Sequence, residues 1–441
     1  MNYAASVEYL LSLLCAFSNS RFGLHRMELL VVELGHPERS FRPIHIAGTN
    51  GKGSTAAMIA AALHAAGRPA GLNTSPHLMR FNERIRINNI DIEDDDFAAA
   101  IREVRAANES ISAREGREMH PTFFESITAA AFCAFRRAGV EWGVVEVGLG
   151  GRLDATNVLH PELTVITPIA LDHERILGDG VRSIAREKAG IFKHNCRSVV
   201  ADQSREVLDE IRGRAEEREI HLIDSRQVWQ SGNITSDEGF YRFEAIPGPQ
   251  APGGREPFPV ELGLAGEHQV ANALTAITSL DVLGVETGAI RRGLADVSWP
   301  GRLERLPGKP EFLLDAAHNP AGATVLASFL REHCTNRTIH LIYGSSRDKP
   351  VAQIAELLFP YADRIVLTAS RVNRSISPNN LLKAVEQHHN DLTVKPSVEA
   401  ALDWVEHHAD RRDLVVVSGS IFLVGEAKAA LEQLVAEPVG Q

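Results

Sequence analysis

The hydrophobic pattern alternates between short apolar runs typical of buried strands and longer Ala- and Leu-rich runs typical of helices. Such alternation is what βαβ units and a mostly parallel sheet produce, so it predicts an α/β fold. The first unit is predicted as a strand over residues 44–47, a helix over 54–66 that ends at Gly67, and a strand over 70–73. Ligands of open α/β sheets bind beyond the carboxyl ends of the strands, so residues that follow strands are the candidates for a site.

The same alternation continues through the middle of the chain. It predicts a helix over residues 120–138 and buried strands over 142–147 and 163–169. Between about 225 and 265 the sequence changes to Gly, Pro and short alternating segments, which predicts antiparallel strands attached to the first domain. A further helix is predicted over 268–283.

A turn-forming stretch, Trp299-Pro300-Gly301-Arg302, marks the predicted domain boundary. We assign residues 1–298 to the first domain and residues 299–441 to the second. In the second part the alternation restarts, which predicts a smaller doubly wound domain. Its predicted strands are residues 311–315, 339–344, 364–369 and 414–419.

Composition narrows the class of protein. Of 441 residues, 44% are hydrophobic and 23% are charged, a balance typical of a soluble globular enzyme. The formal charge of −11 gives no global attraction to nucleic acid or anionic membranes, so an anionic substrate would need a local positive site. We therefore expect no nucleic-acid partner.

Cysteine usage and hydropathy bear on the compartment. The four cysteines lie far apart without a CxxC pair, which argues against a zinc ribbon or a disulfide framework and fits a reducing compartment. The amino terminus lacks the features of a signal peptide. No run approaches the roughly 18 to 20 apolar residues that span a bilayer, so we expect a cytoplasmic protein without a membrane anchor.

The sharpest local signal is segment 48–55, Gly-Thr-Asn-Gly-Lys-Gly-Ser-Thr, which lies between a predicted strand and the Ala-rich helix. Its glycines let backbone N–H groups turn inward around a polyphosphate, and the helix amino terminus favours negative charge. Lys52 can reach the β and γ phosphates, and Ser54 or Thr55 is placed to help hold Mg²⁺. The spacing is shorter than in the common G-x-x-x-x-G-K-[ST] motif. An ordinary glycine-rich turn is the alternative, but three glycines, a lysine and two hydroxyls in this context favour phosphate binding.

Two further polar segments follow predicted strands. Glu146 begins the glycine-rich segment 146–157, and its carboxylate could coordinate Mg²⁺ directly or through water; the alternative is a capping acid before a connecting loop. His173 could ligate or orient a metal, although a single histidine is more often a hydrogen-bonded structural residue. Because Lys52, Glu146 and His173 all follow strands of one sheet, we expect them to converge on the same edge.

Other candidates carry less weight. Ser75 ends the strand after the phosphate loop, and its hydroxyl could join a Mg²⁺ shell or be exposed in a turn. Lys188, by itself, is a lysine on a predicted helix. Segment 315–320 could hold ribose hydroxyls or a phosphate, or could be a helix cap supplied by Asn319. Residues 82–88 alternate like a strand with surface charge and are predicted to form a solvated hairpin.

Taken in order, these segments resemble the folylpolyglutamate synthase and dihydrofolate synthase family within the Mur-ligase superfamily. The resemblance extends over both predicted domains, with Ala316 where Gly is more usual and a looser fit over residues 370–381. It implies an amino-terminal ATPase domain with a P-loop, a Rossmann-like carboxyl-terminal domain that supplies glutamate, and an active site in the cleft between them. The matching motifs are HIAGTNGKGST (45–55), TSPHLMRFNERIRIN (74–88), TFFESITAAAF (122–132), EVGLGGRLDATN (146–157), ITPIALDH (166–173), IAREKAGIFK (184–193), GEHQVANA (266–273), WPGRLE (299–304), DAAHNP (315–320) and SGSIFLVGE (418–426).

The resemblance also implies roles for individual residues. Lys188 matches a lysine that is carbamylated in the superfamily and then ligates metal. The implied catalytic residues are Lys52, His173 and Lys188. The implied Mg²⁺ ligands are Ser75, Glu146 and His173. The segments that resemble the pterin-facing side contain Thr122, Phe124 and Arg152. The implied ATP contacts are Asn50, Gly51, Lys52, Gly53, Ser54, Asn272, Arg302 and Asp315.

The activity that the resemblance implies is ligation of L-glutamate to folate-type carboxylates through an acyl phosphate, with ATP and Mg²⁺. Dihydropteroate is a second expected acid, and a monomer is the expected state. Two alternatives stay open. Another Mur-type ligase could act on a cell-wall nucleotide precursor, against which the segments TFFES and GLGGRLDATN argue. The chain could also be a nucleotide-binding regulator without catalysis, which the joint presence of Lys52, Glu146, His173 and Lys188 disfavours.

Overall fold

The amino-terminal lobe is built on an eight-stranded sheet. The computed structural model describes residues 1–16 and 23–433 of the chain. The strands of this sheet are β1 (Arg42–Ala47), β2 (Ala70–Asn73), β3 (Ile85–Ile87), β4 (Ile90–Asp91), β5 (Trp142–Glu146), β6 (Leu163–Ile166), β7 (Arg197–Val200) and β8 (His221–Asp224). Their order is β4-β3-β2-β5-β1-β6-β7-β8, and β3 and β4 form an antiparallel edge beside six parallel strands.

A small antiparallel sheet completes the strands of this lobe. Its members are β9 (Trp229–Asp237), β10 (Phe240–Pro247) and β11 (Phe258–Ala265), in the order β11-β10-β9. Alternate residues of β10 and β11 are buried, so one face of the sheet packs on the core and the other meets solvent. The antiparallel strands expected between 225 and 265 are therefore present.

Eleven helices of the described chain belong to the amino-terminal lobe. They are α1 (Tyr3–Ala16), α2 (His25–Glu33), α3 (Lys52–Ala65), α4 (Asp94–Glu115), α5 (Phe123–Ala138), α6 (Glu174–Leu177), α7 (Val181–Lys188), α8 (Arg205–Glu217), α9 (Ser225–Val228), α10 (His268–Val282) and α11 (Thr287–Asp296). Helix α3 is buried on nearly all sides, which explains its alanines. On α11, Gly293 lies so close to α3 that a Cβ would come within 2.4 Å of the Cα of Ala62.

The carboxyl-terminal lobe holds a six-stranded sheet. Its strands are β12 (Glu304–Leu306), β13 (Glu311–Asp315), β14 (Ile339–Tyr343), β15 (Arg364–Leu367), β16 (Leu392–Val394) and β17 (Leu414–Ser418). The order is β12-β13-β17-β14-β15-β16, and all pairs are parallel except β12 with β13. The helices of this lobe are α12 (Pro320–His333), α13 (Val351–Leu358), α14 (Pro378–Val385), α15 (Val398–His408) and α16 (Ile421–Leu431). The α/β class, with a mostly parallel sheet and a smaller second lobe, is confirmed.

Residues 297–303 connect the last helix of the amino-terminal lobe to the first strand of the carboxyl-terminal lobe. Helix α11 ends at Asp296 and β12 starts at Glu304. Trp299 packs against the amino-terminal lobe, because the guanidinium of Arg86 lies 4.8 Å from its ring centre and a Cβ on Gly53 would touch the ring. The connection is thus anchored beside the phosphate loop.

One element matches its prediction only in part. Ile85–Ile87 forms a hairpin with Ile90–Asp91, as expected for residues 82–88, but Phe81–Arg84 is a 3-10 helix. Arg84 is buried, and its Nε donates to His77 Nδ1 at 2.9 Å. Burial lowers the pKa of Arg84 to about 10, while the charge of Glu83 acts in the opposite direction. The alternating pattern predicted that Arg84 would lie at the surface. A buried arginine needs polar partners, and a partner from a neighbouring segment cannot be recognised from the periodicity of the arginine's own segment.

Smaller differences concern helix and strand ends, cysteines and membrane spans. The strand expected over 163–169 stops at Ile166, and α3 begins at Lys52 rather than at residue 54. Cys133, Cys196 and Cys334 are buried free thiols, and the side chain of Cys15 lies outside the described residues. Among the helices of the described chain, none is long and apolar enough to cross a bilayer.

Candidate active site

The phosphate loop, residues 48–55, connects β1 to α3 and is held from beneath by residues that follow β6. The carbonyl of Pro168 accepts hydrogen bonds from the N–H groups of Thr49 (3.0 Å) and Asn50 (3.1 Å). Gly48 has φ +153°, and a Cβ there would lie 1.8 Å from Thr167 Oγ1. The loop therefore needs glycine where it crosses the neighbouring strand.

Lys52 and Glu146 face each other across this loop. The register pairs Ile46 with Glu146 and Ala47 with Ile166, which aligns the carboxyl ends of β1, β5 and β6 at one edge. Lys52 Nζ lies 3.9 Å from Glu146 Oε1 and donates to the carbonyl of Thr49 at 3.1 Å. The structure thus brings the predicted phosphate-binding lysine and the predicted metal-binding carboxylate together.

Glu146 is a buried carboxyl group whose pKa is shifted by its surroundings. Burial raises its pKa, and the positive charge of Lys52 works in the opposite direction. Its Oε2 accepts the backbone N–H of Ser75 at 3.2 Å. A buried carboxylate is a group that a divalent metal would stabilise in its charged form.

His173, the third predicted ligand, starts α6 in a left-handed conformation with φ 52°. Its Nε2 lies 3.8 Å from Asp172 Oδ1. Burial lowers the pKa of His173 to about 4, and the charge of Asp172 counters this in part. At neutral pH the imidazole is therefore uncharged and keeps a lone pair for a metal or a proton.

The donor set fits a hard cation that keeps other oxygen ligands. Among the described residues, no three His, Cys, Asp or Glu side chains form a group that could hold a metal. Glu146 has carboxylate oxygens to offer, Ser75 is held to it through its backbone N–H and carries a hydroxyl, and phosphate oxygens or water would complete the shell. Mg²⁺ is bound in this way, through one or two carboxylates and a substrate phosphate.

Lys188 reaches the same loop from the end of α7. It is 5% exposed, and its Nζ donates to the carbonyl of Gly48 at 2.7 Å. Burial, together with the smaller effect of the charge of Lys52, lowers the pKa of Lys188 to about 7. A substantial neutral fraction at physiological pH makes this amine a nucleophile.

The pKa of Lys188 predicts how stability depends on pH. Between about pH 7 and pH 10.5 the unfolded chain binds a proton at this lysine that the folded chain does not, so the free energy of unfolding rises with pH in that window. Relative to Lys188→Met, wild type should gain up to about 1.4 kcal/mol per pH unit. Urea unfolding of both proteins in CO₂-free buffer between pH 6 and 9 measures this. A constant difference between them would contradict the shifted pKa.

One of the residues predicted to contact the nucleotide is Asn272. Asn272 on α10 lies against the phosphate loop, because a Cβ on Gly51 (φ +80°) would be 2.4 Å from its Oδ1. Gln269, one helical turn earlier, accepts from Asn272 Nδ2 at 2.9 Å and donates to Ser54 Oγ at 3.3 Å. The Ser54 hydroxyl is therefore tied to α10.

Arg302 lies just before β12, and Asp315 is the last residue of β13. The positive charge of Arg302 lowers the pKa of both Glu146 and Asp315 against the effect of burial. Both oxygens of Asp315 accept backbone N–H groups, from Leu303 and Ala317, at 2.9 Å each. In this structure Asp315 braces the connection between the lobes.

Asp172 joins the two lobes beside the phosphate loop. Its carboxylate lies 2.6 Å from Lys349 Nζ and 3.6 Å from His318 Nε2. Asn319 Nδ2 bridges Asn50 Oδ1 (3.0 Å) and Asp172 Oδ2 (3.4 Å). Burial alone would raise the pKa of Asp172, but the hydrogen bond with His318 and the charge of Lys349 hold it well below its usual range.

The predicted substrate-facing residues occupy a neighbouring region. Thr122 caps α5, where its N–H donates to Glu125 Oε2 at 2.7 Å and its Oγ1 accepts from Glu125 N at 3.4 Å. Phe124 packs on Gly148, since a Cβ there would be 2.2 Å from the ring. Arg152 is half exposed and pairs with Glu187 on α7 at 3.0 Å. Phe124 therefore borders the loop after Glu146, whereas Arg152 is directed along the outside of α7.

Comparison with known proteins places this geometry in a family. The chain matches the Mur ligase middle domain over residues 46–280 and the Mur ligase glutamate ligase domain over 301–421. A dihydrofolate synthase/folylpolyglutamate synthase of Bacillus subtilis is 34% identical, over 93% of this chain and 95% of the relative. The chain belongs to the folylpolyglutamate synthase and dihydrofolate synthase family.

Solved structures of folylpolyglutamate synthases have the same fold. The Mycobacterium tuberculosis enzyme complexed with ADP superposes with a TM-score of 0.90 at 31% identity, over 99% of this chain and all of the other. The bifunctional folylpolyglutamate synthase/dihydrofolate synthase from Yersinia pestis, complexed with AMPPNP and Mn ion, gives a TM-score of 0.82 at 30% identity over 98% of each chain. The superpositions therefore extend over both lobes of the chain.

Some residues at the site of this member of the folylpolyglutamate synthase family were not identified from the sequence. Lys349 was not singled out, although it follows the buried strand β14 as the other candidates follow theirs. Asn319 was considered as a helix cap, and it does accept the N–H of Gly322 at 2.8 Å through its Oδ1. The same side chain also binds Asn50 through its other end, which only the packing of the lobes reveals.

Proposed function

We propose that the protein is an ATP-dependent ligase that joins L-glutamate to the carboxylate of a folate-type acid through an acyl phosphate. The observation that carries this is the meeting of Lys52, Glu146 and Lys188 on one phosphate loop, within a member of the folylpolyglutamate synthase and dihydrofolate synthase family. The ADP and AMPPNP bound by the two related structures support ATP as the phosphoryl donor.

The first step activates the acid. A carboxylate oxygen of the folate attacks the γ-phosphorus of ATP, the bond from that phosphorus to the bridging oxygen breaks, and ADP leaves. Lys52, on the loop, neutralises charge on the transferring group, and the N-terminus of α3 favours the phosphates. Glu146 and Ser75, with His173 as a further ligand, would hold Mg²⁺, which when bound supplies charge neutralisation at the phosphates.

The second step forms the amide. The neutral amine of glutamate attacks the acyl carbon, the phosphate leaves with the former carboxylate oxygen, and the nitrogen loses its proton. His173 is uncharged at neutral pH, so it can accept or share a proton near this centre. The contact of Asp172 with Lys349 draws the lobes together over the loop, which excludes the water that would hydrolyse an acyl phosphate.

Both folate acids named in the family are proposed as substrates. Relatives include bifunctional enzymes, which supports dihydropteroate as well as reduced folates. Thr122, Phe124 and Arg152 are proposed for the pterin side, Asn272, Arg302 and Asp315 for the nucleotide, and Asn50, Gly51, Gly53 and Ser54 for its phosphates. We further propose a monomer that works in the cytoplasm.

A substrate comparison tests the proposal. Dihydropteroate, tetrahydrofolate and a cell-wall nucleotide precursor are offered separately with ATP, Mg²⁺ and L-glutamate, and the products are identified by mass. We expect each of the two folate acids to gain one glutamate residue with release of one ADP. A product from a cell-wall nucleotide precursor and from neither folate acid would support the other Mur-type ligase, and ATP turnover independent of every acid would exclude a ligase.

A further inference from the structure

The turn over residues 301–303, at the end of the connection between the lobes, has an unusual backbone. Gly301 has φ +72° and Leu303 has φ +47°. A left-handed conformation is unfavourable for a bulky side chain, so neighbouring contacts must hold Leu303 in it. Its side chain is buried in the core of the carboxyl-terminal lobe, and its N–H donates to Asp315 Oδ2 at 2.9 Å. Arg302 lies between the two residues with positive φ, so their conformation sets the direction in which its side chain leaves the backbone.

An ion pair holds the start of this turn. Glu304 Oε2 accepts the N–H of Gly301 at 2.8 Å, and Glu304 Oε1 accepts a hydrogen bond from Lys428 Nζ, on α16, at 2.5 Å. The side chains of Lys428 and Glu304 are 8% and 20% exposed, so water and salt screen the pair only weakly. The ion pair therefore connects the turn to a helix of the carboxyl-terminal lobe.

Gly301 is in contact with both lobes. A Cβ added to it would lie 3.3 Å from Leu78 Cδ1 in the amino-terminal lobe and 3.6 Å from Val424 Cγ1 on α16. The carbonyl of Gly301 accepts the N–H of Ala316 at 2.9 Å. A shift of the turn would therefore move Arg302 relative to the amino-terminal lobe.

The charge of Arg302 acts on groups of three elements. Burial raises the pKa of Glu146 and of Asp315 and lowers the pKa of His268 to about 4. The charge of Arg302 has a smaller effect, which lowers the pKa of all three groups. Glu146 ends β5, His268 begins α10 and Asp315 ends β13. A guanidinium within electrostatic range of these elements suits the phosphates of a nucleotide.

We propose that Glu304 and Lys428 are positioning residues, whose ion pair holds residues 301–303 in the conformation that directs Arg302 at the nucleotide. The inference rests on the proposed function, in which Arg302 contacts ATP. Glu304 acts through the N–H of Gly301, and Lys428 acts through Glu304. The left-handed conformation of Leu303 persists because its own N–H and that of Gly301 are both held by carboxylates.

The structural alternative is that the ion pair only attaches the edge strand β12 to α16. An ion pair of this kind can be replaced by apolar side chains with little loss of stability, so its presence alone does not show a structural need. The two roles differ in what they predict. A purely structural pair would change the free energy of unfolding and leave the affinity of the folded protein for nucleotide intact.

The test is calorimetric titration with ADP and Mg²⁺, which measures nucleotide affinity without acid or glutamate. In Lys428→Met we expect the Kd for ADP to rise roughly 10-fold, the lower end of the loss that removal of an outer partner causes at metal sites. Arg302→Met should raise the Kd by at least as much. Lys428→Met added to Arg302→Met should have no further effect, because the residue through which it acts is then missing. In steady-state kinetics the KM for ATP should rise and the KM for the folate acid should stay unchanged.

Glu432→Gln is the matched control. Glu432 lies one turn further along α16, 3.8 Å from Lys428 Nζ, and is not part of the turn at residues 301–303. Its Kd for ADP should equal that of wild type. A second variant, Glu304→Leu with Lys428→Met, leaves no buried charge unpaired and should keep the fold. Its Kd for ADP should rise as in Lys428→Met, because Gly301 loses its acceptor.

A Kd for ADP within twofold of wild type in the folded double variant overturns the inference, and the same criterion applies to Lys428→Met if the double variant unfolds. An unchanged Kd in Arg302→Met, a further loss when Lys428→Met is added to it, or an equal rise in Glu432→Gln also overturns it. A wild type that binds ADP but ligates no glutamate would instead contradict the proposed function.

Discussion

Lys52→Ala is expected to lose formation of the acyl phosphate, with a fall in kcat of at least about 10³-fold. Lys52 is the cation on the phosphate loop, and alanine would leave the transferring group without it. Alanine would also leave the buried Glu146 without its nearest charge partner. Rapid-quench measurement of ADP in a single turnover isolates this step, and binding of the folate should stay close to that of wild type.

Lys383→Ala serves as the control for this variant, because Lys383 is an exposed lysine on α14 in the other lobe. It should turn over at the wild-type rate. Glutamate-dependent ADP release by Lys52→Ala at a near-normal rate would contradict the role of Lys52. A large loss of folate affinity with an intact single-turnover rate would also contradict it, since the lysine would then act on substrate binding.

Lys188→Met is expected to lose activity by roughly 100-fold or more, and added bicarbonate should not restore it. A buried amine with a pKa of about 7, held against the Gly48 carbonyl, is suited to react with CO₂. The carbamate would place a carboxylate beside the phosphate loop. With ¹³C-bicarbonate, wild type should show a carbamate resonance that the variant lacks.

Lys193→Met is the matched control, since Lys193 is also partly buried and donates to a backbone carbonyl, that of Asn157, at 2.9 Å. We expect it to keep both its activity and the carbamate resonance. An unaltered rate in Lys188→Met would remove the catalytic role of Lys188. Loss of activity in Lys188→Met, with no carbamate resonance in wild type, would mean that Lys188 acts as a cation beside the phosphate loop and not as a carbamate.

Local features of the site were predictable because strand, loop and helix follow one another directly in the chain. Gly48, Gly51 and Lys52 lie between an apolar run and an Ala-rich run, and the structure places the glycines between β1 and α3 and Lys52 at the start of α3. Glu146 follows the same logic at the end of β5. The meeting of Lys52 with Glu146 needed one further step, that parallel strands end at a common edge.

Contacts between the lobes were not predictable in this way. Asp172 and Lys349 are 177 positions apart in the chain, and no local sequence pattern around either residue identifies the other as its partner. Asn319 shows the same limit, because its capping role is local and its bond to Asn50 is not. Arg84 was predicted to lie at the surface because the alternating pattern reports only on its own segment. The ring nitrogen that accepts its hydrogen bond belongs to His77, outside that segment.

The central claim is that the folate carboxylate attacks the terminal phosphorus of ATP at the phosphate loop. Substrate labelled with ¹⁸O in that carboxylate tests it most directly, with the inorganic phosphate analysed by mass spectrometry or ³¹P NMR after amide formation. An acyl phosphate transfers one labelled oxygen from the acid to each phosphate released. Phosphate without label, formed together with the glutamyl product, would contradict the account.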